Sequence, residues 1–160
     1  MPAPSRPSSL IRLYARPGFL LRRAHQISAA VFEDECRELQ LTAAQFGVLT
    51  VLDARPGMGQ SALARALGFD KVTVLRVLRG LEARGFVERE ADSGRRTVAV
   101  TLTAAGRALL RQAQPPAEKA YRRLMGPLDK QQQAQLIELL QLLTDSLEGH
   151  ARAAFVPPED

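Results

Sequence analysis

Residues 60–102 read QSALARALGFDKVTVLRVLRGLEARGFVEREADSGRRTVAVTL, and the spacing of apolar residues changes along them. In QSALARAL, Leu63, Ala64 and Leu67 return at helical spacing and Gly68 ends the run. Asp70 then caps KVTVLRVLRGLEAR, in which Val74, Leu78 and Leu81 form one apolar stripe until Gly85 stops it. After Gly85, the runs FVERE and TVAVTL alternate apolar and polar residues with the period of a strand, and Asp92, Ser93 and Gly94 between them supply turn chemistry. Two helices joined by a tight turn and followed directly by a hairpin are what a winged helix-turn-helix requires: a positioning helix, a recognition helix and a wing. Three-helix packing imitates the first part of that order, but not the hairpin.

Working outward, Thr42 is an N-cap for a helix with Phe46, Leu49 and Leu52 on one face, ended by Arg55-Pro56-Gly57. Farther upstream, Leu20, Ala24, Ile27 and Val31 predict a first helix over about residues 18–39, and the three prolines and three serines of residues 1–9 predict a mobile arm. Downstream of Thr103, helical spacing returns with Leu109, Ala113, Ala117, Ala120 and Leu124, and Pro115-Pro116 inside it predicts a kink or short break. Asp129 opens a last helix in which Leu136, Leu140, Leu143 and Leu147 follow a heptad-like stripe, and the chain beyond Gly149 is expected to be loose. The fold class is therefore mainly α with a small β-hairpin wing.

With 46% hydrophobic and 24% charged residues over 160 positions, the chain has the balance of one folded unit. Its 22 Lys plus Arg exceed 17 Asp plus Glu by five, and nearly all the cations are arginine, whose planar fork suits phosphate and guanine. Residues 60–111 hold ten of those cations against five carboxylates, so the segment that would face DNA carries an excess equal to that of the whole chain. A lone cysteine, Cys36, and no apolar run long enough to span a membrane lead to the expectation of a reducing, cytoplasmic setting.

LTAAQFGVLTVL, QSALARALGFDKVTVLRVLRGLEARGFVERE and RRTVAVTLTAAGRALL together resemble the MarR family of winged helix-turn-helix regulators over about 70 residues, in spacing, caps and wing at once. The resemblance implies a homodimer acting on a palindromic double-stranded operator. It places a winged helix-turn-helix DNA-binding domain at 41–102 and a helical dimerisation region at 10–40 and 103–148, flanked by a flexible arm at 1–9 and a flexible tail at 149–160.

On the outer face of the recognition helix lie Lys71, Val72, Leu75, Arg76 and Arg79. Arg76 and Arg79 are expected at phosphate or guanine, and Lys71 and Thr73 at phosphate beside free helix N-terminal donors. Val72 and Leu75 stand where the family often has small polar residues. Contact with thymine methyls is one reading, and packing of either on the wing or the second helix is the other. Arg95 and Arg96 align with the family's wing arginines, one for the minor groove and one to brace the hairpin. The Asp that commonly precedes that pair is here Gly94, with Asp92 as a possible substitute.

Family members commonly bind a ligand where the first, second and dimerisation helices meet. The stretch ARPGFLLRRAHQISAAVF offers Arg16, Phe19, Arg22, Arg23, His25 and Phe32, and Phe46 follows on the next helix. Cations beside aromatic rings suit a small aromatic effector: a hydroxylated or N-heteroaromatic carboxylate, or its thioester. The alternatives are a constitutive repressor, a winged-helix interaction module without DNA binding, and a redox-responsive repressor using Cys36. The last is disfavoured by Glu33, Asp34, Glu35 and Glu38 around that thiol. His25 and His150 lie far apart, and no HExxH, CxxC or glycine-rich phosphate loop occurs. No catalytic, metal or cofactor site is therefore expected.

Overall fold

The computed structural model describes residues 9–91 and 98–158. A short helix α1 (Ser9–Tyr14) leads through a turn into α2 (Pro17–Glu35). Proline suits this start because the first helical N–H has no partner in any case. The predicted first helix is thus shorter at its far end: Arg37–Leu39 is a 3₁₀ turn, closed by Gln40 in the left-handed conformation at φ 49°.

Helix α3 (Ala43–Ala54) opens on a capping box: the Gln45 N–H donates to Thr42 Oγ1 at 3.2 Å, and the Thr42 N–H donates to Gln45 Oε1 at 3.0 Å. Next come a two-residue strand β1 (Met58–Gly59), helix α4 (Gln60–Ala66), helix α5 (Lys71–Ala83), and the hairpin strands β2 (Val87–Ala91) and β3 (Val98–Leu102). The sheet is antiparallel in the order β1-β3-β2, with Met58 opposite Val100 and Val87 opposite Leu102. Strand β1 was not expected, since two residues carry no periodicity. It forms because Gly57, at φ 78°, turns the chain so that its N–H reaches the Val100 carbonyl at 3.1 Å.

Helices α4 and α5 end alike. Gly68 (φ 63°) and Gly85 (φ 75°) adopt the left-handed conformation, the Phe69 N–H returns to the Ala64 carbonyl at 2.8 Å, and the Phe86 N–H returns to the Leu81 carbonyl at 3.0 Å. Leu49, Leu52, Leu63, Val74, Leu78, Leu81, Val87 and Val100 are buried in one core beneath α3, α4, α5 and the sheet. Phe32 and Phe46 pack against it from α2 and α3.

Helix α6 (Ala104–Met125) runs unbroken through Pro115 and Pro116, where a kink or break was expected. The two prolines remove the donors for the Arg111 and Gln112 carbonyls. Those residues are exposed, where water can serve the carbonyls, while Leu109, Ala113 and Ala120 on the opposite face stay packed. Arg123 donates to Asp34 and Glu35, and Lys119 pairs with Glu35 at 2.7 Å, fastening α6 to the end of α2.

Asp129 caps α7 (Lys130–Leu147) with a second capping box, through Gln132. The helix buries none of its residues against its own chain, and Leu136, Leu140, Leu143 and Leu147 all stand exposed. The chain beyond Gly149, expected as a loose tail, returns to α4, where the Val156 N–H meets the Arg65 carbonyl at 2.9 Å.

Candidate nucleic-acid interface and effector region

Helix α5 turns Val74, Val77, Leu78 and Leu81 inward. That leaves Lys71, Val72, Arg76 and Arg79 exposed, with Val72 at 77% of its full accessibility. Val72, Arg76 and Arg79 are spaced by four and three, so they share a face, and their span of seven residues covers about 10 Å, the rise of three base pairs. Val72 does not pack on the described part of the wing or on α3; Leu75 is half-buried at the edge of the core. An apolar side chain held in water gains nothing from its position unless a partner covers it.

The N-terminus of α5 differs in one respect from expectation. The Thr73 N–H donates to Asp70 Oδ1 at 2.7 Å, so this donor is occupied by the cap. That bond, more than any other influence, holds the Asp70 carboxyl below its ordinary range, with Arg76 adding a smaller attraction. A phosphate at this end would meet a carboxylate, and Lys71 is the group that offsets it.

Three contacts that sequence reasoning missed hold α5 in place. Arg84, just past its end, donates to the Gln40 and Leu39 carbonyls at 2.8 and 2.9 Å and lies 4.8 Å from the Phe86 ring centroid. Arg89 Nε on β2 donates to Glu82 at 3.0 Å, which keeps that carboxyl below its ordinary range. Thr103 Oγ1 donates to the Gly85 carbonyl at 2.6 Å and accepts from the Gly106 N–H at 3.0 Å, joining the end of α5 to the start of α6. Arg84 and Arg89 are therefore structural cations, whereas Lys71, Arg76 and Arg79 hydrogen-bond no other described residue. Arg95 and Arg96 lie outside the described residues, as do Asp92 and Gly94.

The candidate effector residues fall into two groups. At the start of α2, the Phe19 ring lies 5.2 Å from that of Tyr14, with the Arg22 guanidinium 5.1 Å from its centroid. Arg16, exposed beside them, lines a groove of about 300 Å³ with Ser9, Arg12 and Leu13. At the other end, Phe32 and Phe46 meet at 5.4 Å. Thirteen residues of helix, about 20 Å, separate Phe19 from Phe32, and His25 stands exposed between them. One protomer does not gather the six into a single site.

Cys36 is buried at 1% exposure, and burial, with Glu35 adding to it, pushes its thiol up. No group of three potential metal ligands occurs among the described residues, and no described helix is long and apolar enough to cross a membrane.

A family model described as MarR family matches residues 39–96. The HTH-type transcriptional repressor NicR of Pseudomonas putida is 35% identical over 133 residues, which are 82% of this chain and 84% of that protein. The chain belongs to the MarR family. Among solved structures, Bordetella bronchiseptica BpsR, whose DNA binding is regulated by 6-hydroxynicotinic acid, is 34% identical with a TM-score of 0.76; the match covers 82% of this chain and 95% of that one. The MarR-family protein Rv2887 of Mycobacterium tuberculosis, solved in complex with DNA, is 31% identical with a TM-score of 0.63, covering 81% and 98%. NicR, like the 33% identical Rv2887, carries the name of a transcriptional repressor.

Proposed function

We propose that this MarR-family chain is a transcriptional repressor that grips a palindromic operator as a homodimer and is released by a small aromatic acid. The observation that carries the DNA reading is the outward row of α5: two arginines and an exposed valine on one face, with no hydrogen bond from either guanidinium to another described residue, on a helix clamped at its far end. Arg76 and Arg79 contact phosphate or guanine, Lys71 lies at phosphate with Thr73 beside it held by Asp70, and Val72, with Leu75 at its edge, meets thymine methyls. Arg95 and Arg96 are assigned to the adjoining groove by family resemblance alone.

The dimer reading rests on α7, whose exposed leucines would each gain roughly 1–2 kcal/mol if a second copy covered them. Two recognition helices about 34 Å apart then engage one face of the duplex, and a small change in that spacing removes most of the affinity. Arg16 at the cap of α2, Phe19, Arg22 and His25 along it, and Phe32 near its far end with Phe46 of α3 supply groups for a hydroxylated or N-heteroaromatic carboxylate or its thioester. A second protomer is needed to close a pocket over groups so far apart. The effector of BpsR is of this chemical class.

Gel-shift titration against duplex selected from random sequence tests the DNA reading. Arg76→Ala is expected to weaken binding strongly, and equal affinity for wild type and variant overturns the contact assignment. Thermal shift with a panel of aromatic acids, with and without His25→Ala, tests the effector; the absence of any stabilised wild-type sample removes that part. A protein-interaction module without DNA binding would show no salt-dependent association with duplex.

A further inference from the structure

The segment after α7 makes contacts that neither the DNA row nor the dimer stripe requires. The last carbonyls of helix α4 have no partner within the helix itself, as at any helix end, and are met from outside it. One of them, on Arg65, accepts the Gly68 N–H at 3.2 Å and the Val156 N–H at 2.9 Å. The preceding residue lies over the turn: a Cβ placed on Gly68 would be 3.8 Å from the Phe155 Cβ. Phe155 is itself tied to the end of α7, since its N–H donates to Glu148 Oε1 at 2.8 Å. Ala151 closes the 3₁₀ turn Glu148–His150 by donating to the Glu148 carbonyl at 2.9 Å.

We propose that residues 151–158 form a strap that couples the end of α7 to the α4–α5 turn of the helix-turn-helix. The anchor points are few and specific: one carboxylate on the α7 side and one carbonyl on the α4 side, joined through two adjacent backbone N–H groups. A shift of α7 is passed through Glu148 and the strap to the residues from which α5 departs, so α5 feels the helical region from both ends. At its far end Arg84 reaches back to Leu39 and Gln40. The functional half of the proposal rests on the DNA reading above, whereas the anchoring half does not.

The strap is tested by deleting one donor. Val156→Pro removes the N–H that reaches Arg65, in a stretch that continues into Pro157 and Pro158, and Val156→Ala keeps it. Amide exchange in the free, full-length protein reports the anchoring, and titration of an operator duplex reports the coupling. Val156→Pro is expected to speed exchange across residues 65–69 by about fivefold, the factor for losing one net hydrogen bond, and to weaken operator binding severalfold; Val156→Ala changes neither. Unchanged exchange in Val156→Pro overturns the strap. Faster exchange with wild-type operator affinity overturns the coupling. A wild-type protein that binds no duplex defeats the DNA reading, while the exchange arm still decides whether the strap exists.

Discussion

Replacing Gly106 with alanine tests how tightly the DNA-reading unit is joined to α6, because two physical effects predict opposite signs. Gly106 is the third residue of α6, and in an unconstrained helix the change to alanine stabilises by up to about 1 kcal/mol. Here the added Cβ would lie 2.0 Å from the Phe86 carbonyl oxygen and 3.0 Å from its carbon, both backbone atoms. The oxygen must retreat by more than 1 Å to reach ordinary contact at about 3.3–3.6 Å. That same oxygen accepts the Thr103 N–H at 3.1 Å, and Thr103 caps α6. Overpacking of about 1–3 kcal/mol, with a weakened cap and one strained hydrogen bond of about 1 kcal/mol each, outweighs the propensity gain. The net loss is about 2–4 kcal/mol, or roughly 4–16 °C in melting temperature for a chain of this size. Calorimetry at matched protein concentration measures it, with Gly18→Ala as control: Gly18 also lies in a first helical turn, but a Cβ there meets nothing within 4 Å. If Gly106→Ala melts at or above the wild-type temperature, the reasoning about this junction is refuted.

Three further outcomes follow from the structure. Asp34 is held below its ordinary value of 3.8 chiefly by the hydrogen bond from Arg123, and Glu35 below 4.5 chiefly by that from Lys119. Such depressed carboxylates contribute stability that is complete above those values and is lost as pH falls through the lower folded ones, so Asp34→Asn should flatten acid unfolding below about pH 4. Val72→Ser should leave the melting temperature unchanged and reduce discrimination at one thymine by about 1 kcal/mol; an unaltered selected-site profile would remove the methyl contact. Peroxide should leave operator binding intact in both wild type and Cys36→Ala, because a buried thiol with a raised pKa yields little thiolate; a loss of binding confined to wild type would restore the redox reading.

Local chemistry explains what was legible in the sequence. Thr42, Asp70 and Asp129 each accept from an N–H three residues on, and Gly68 and Gly85 take the positive φ that ends a helix. All are decided within a few residues, as is the stripe of Val74, Leu78 and Leu81. What escaped was non-local. Arg84 finds its carbonyls 44 and 45 residues away, and Val156 reaches back to Arg65; in sequence each is an ordinary residue in an ordinary stretch. The proline pair of α6 was a local signal overruled by packing, since its unpaired carbonyls face outward. The family resemblance points to the meeting of the first, second and dimerisation helices for an effector, but along α2 the helix carries Phe19 and Phe32 to opposite ends of a rod.

The proposed grip on the operator requires two copies of α5 offered together to one duplex. The direct measurement is a fluorescence-anisotropy titration of a selected operator over a range of salt, with the binding stoichiometry fixed at high concentration. Lys71, Arg76 and Arg79 from each of two protomers give a slope of log affinity against log salt approaching about −5 if each neutralises one phosphate, with two protomers per duplex. Binding by one protomer, or an affinity indifferent to salt, would contradict it.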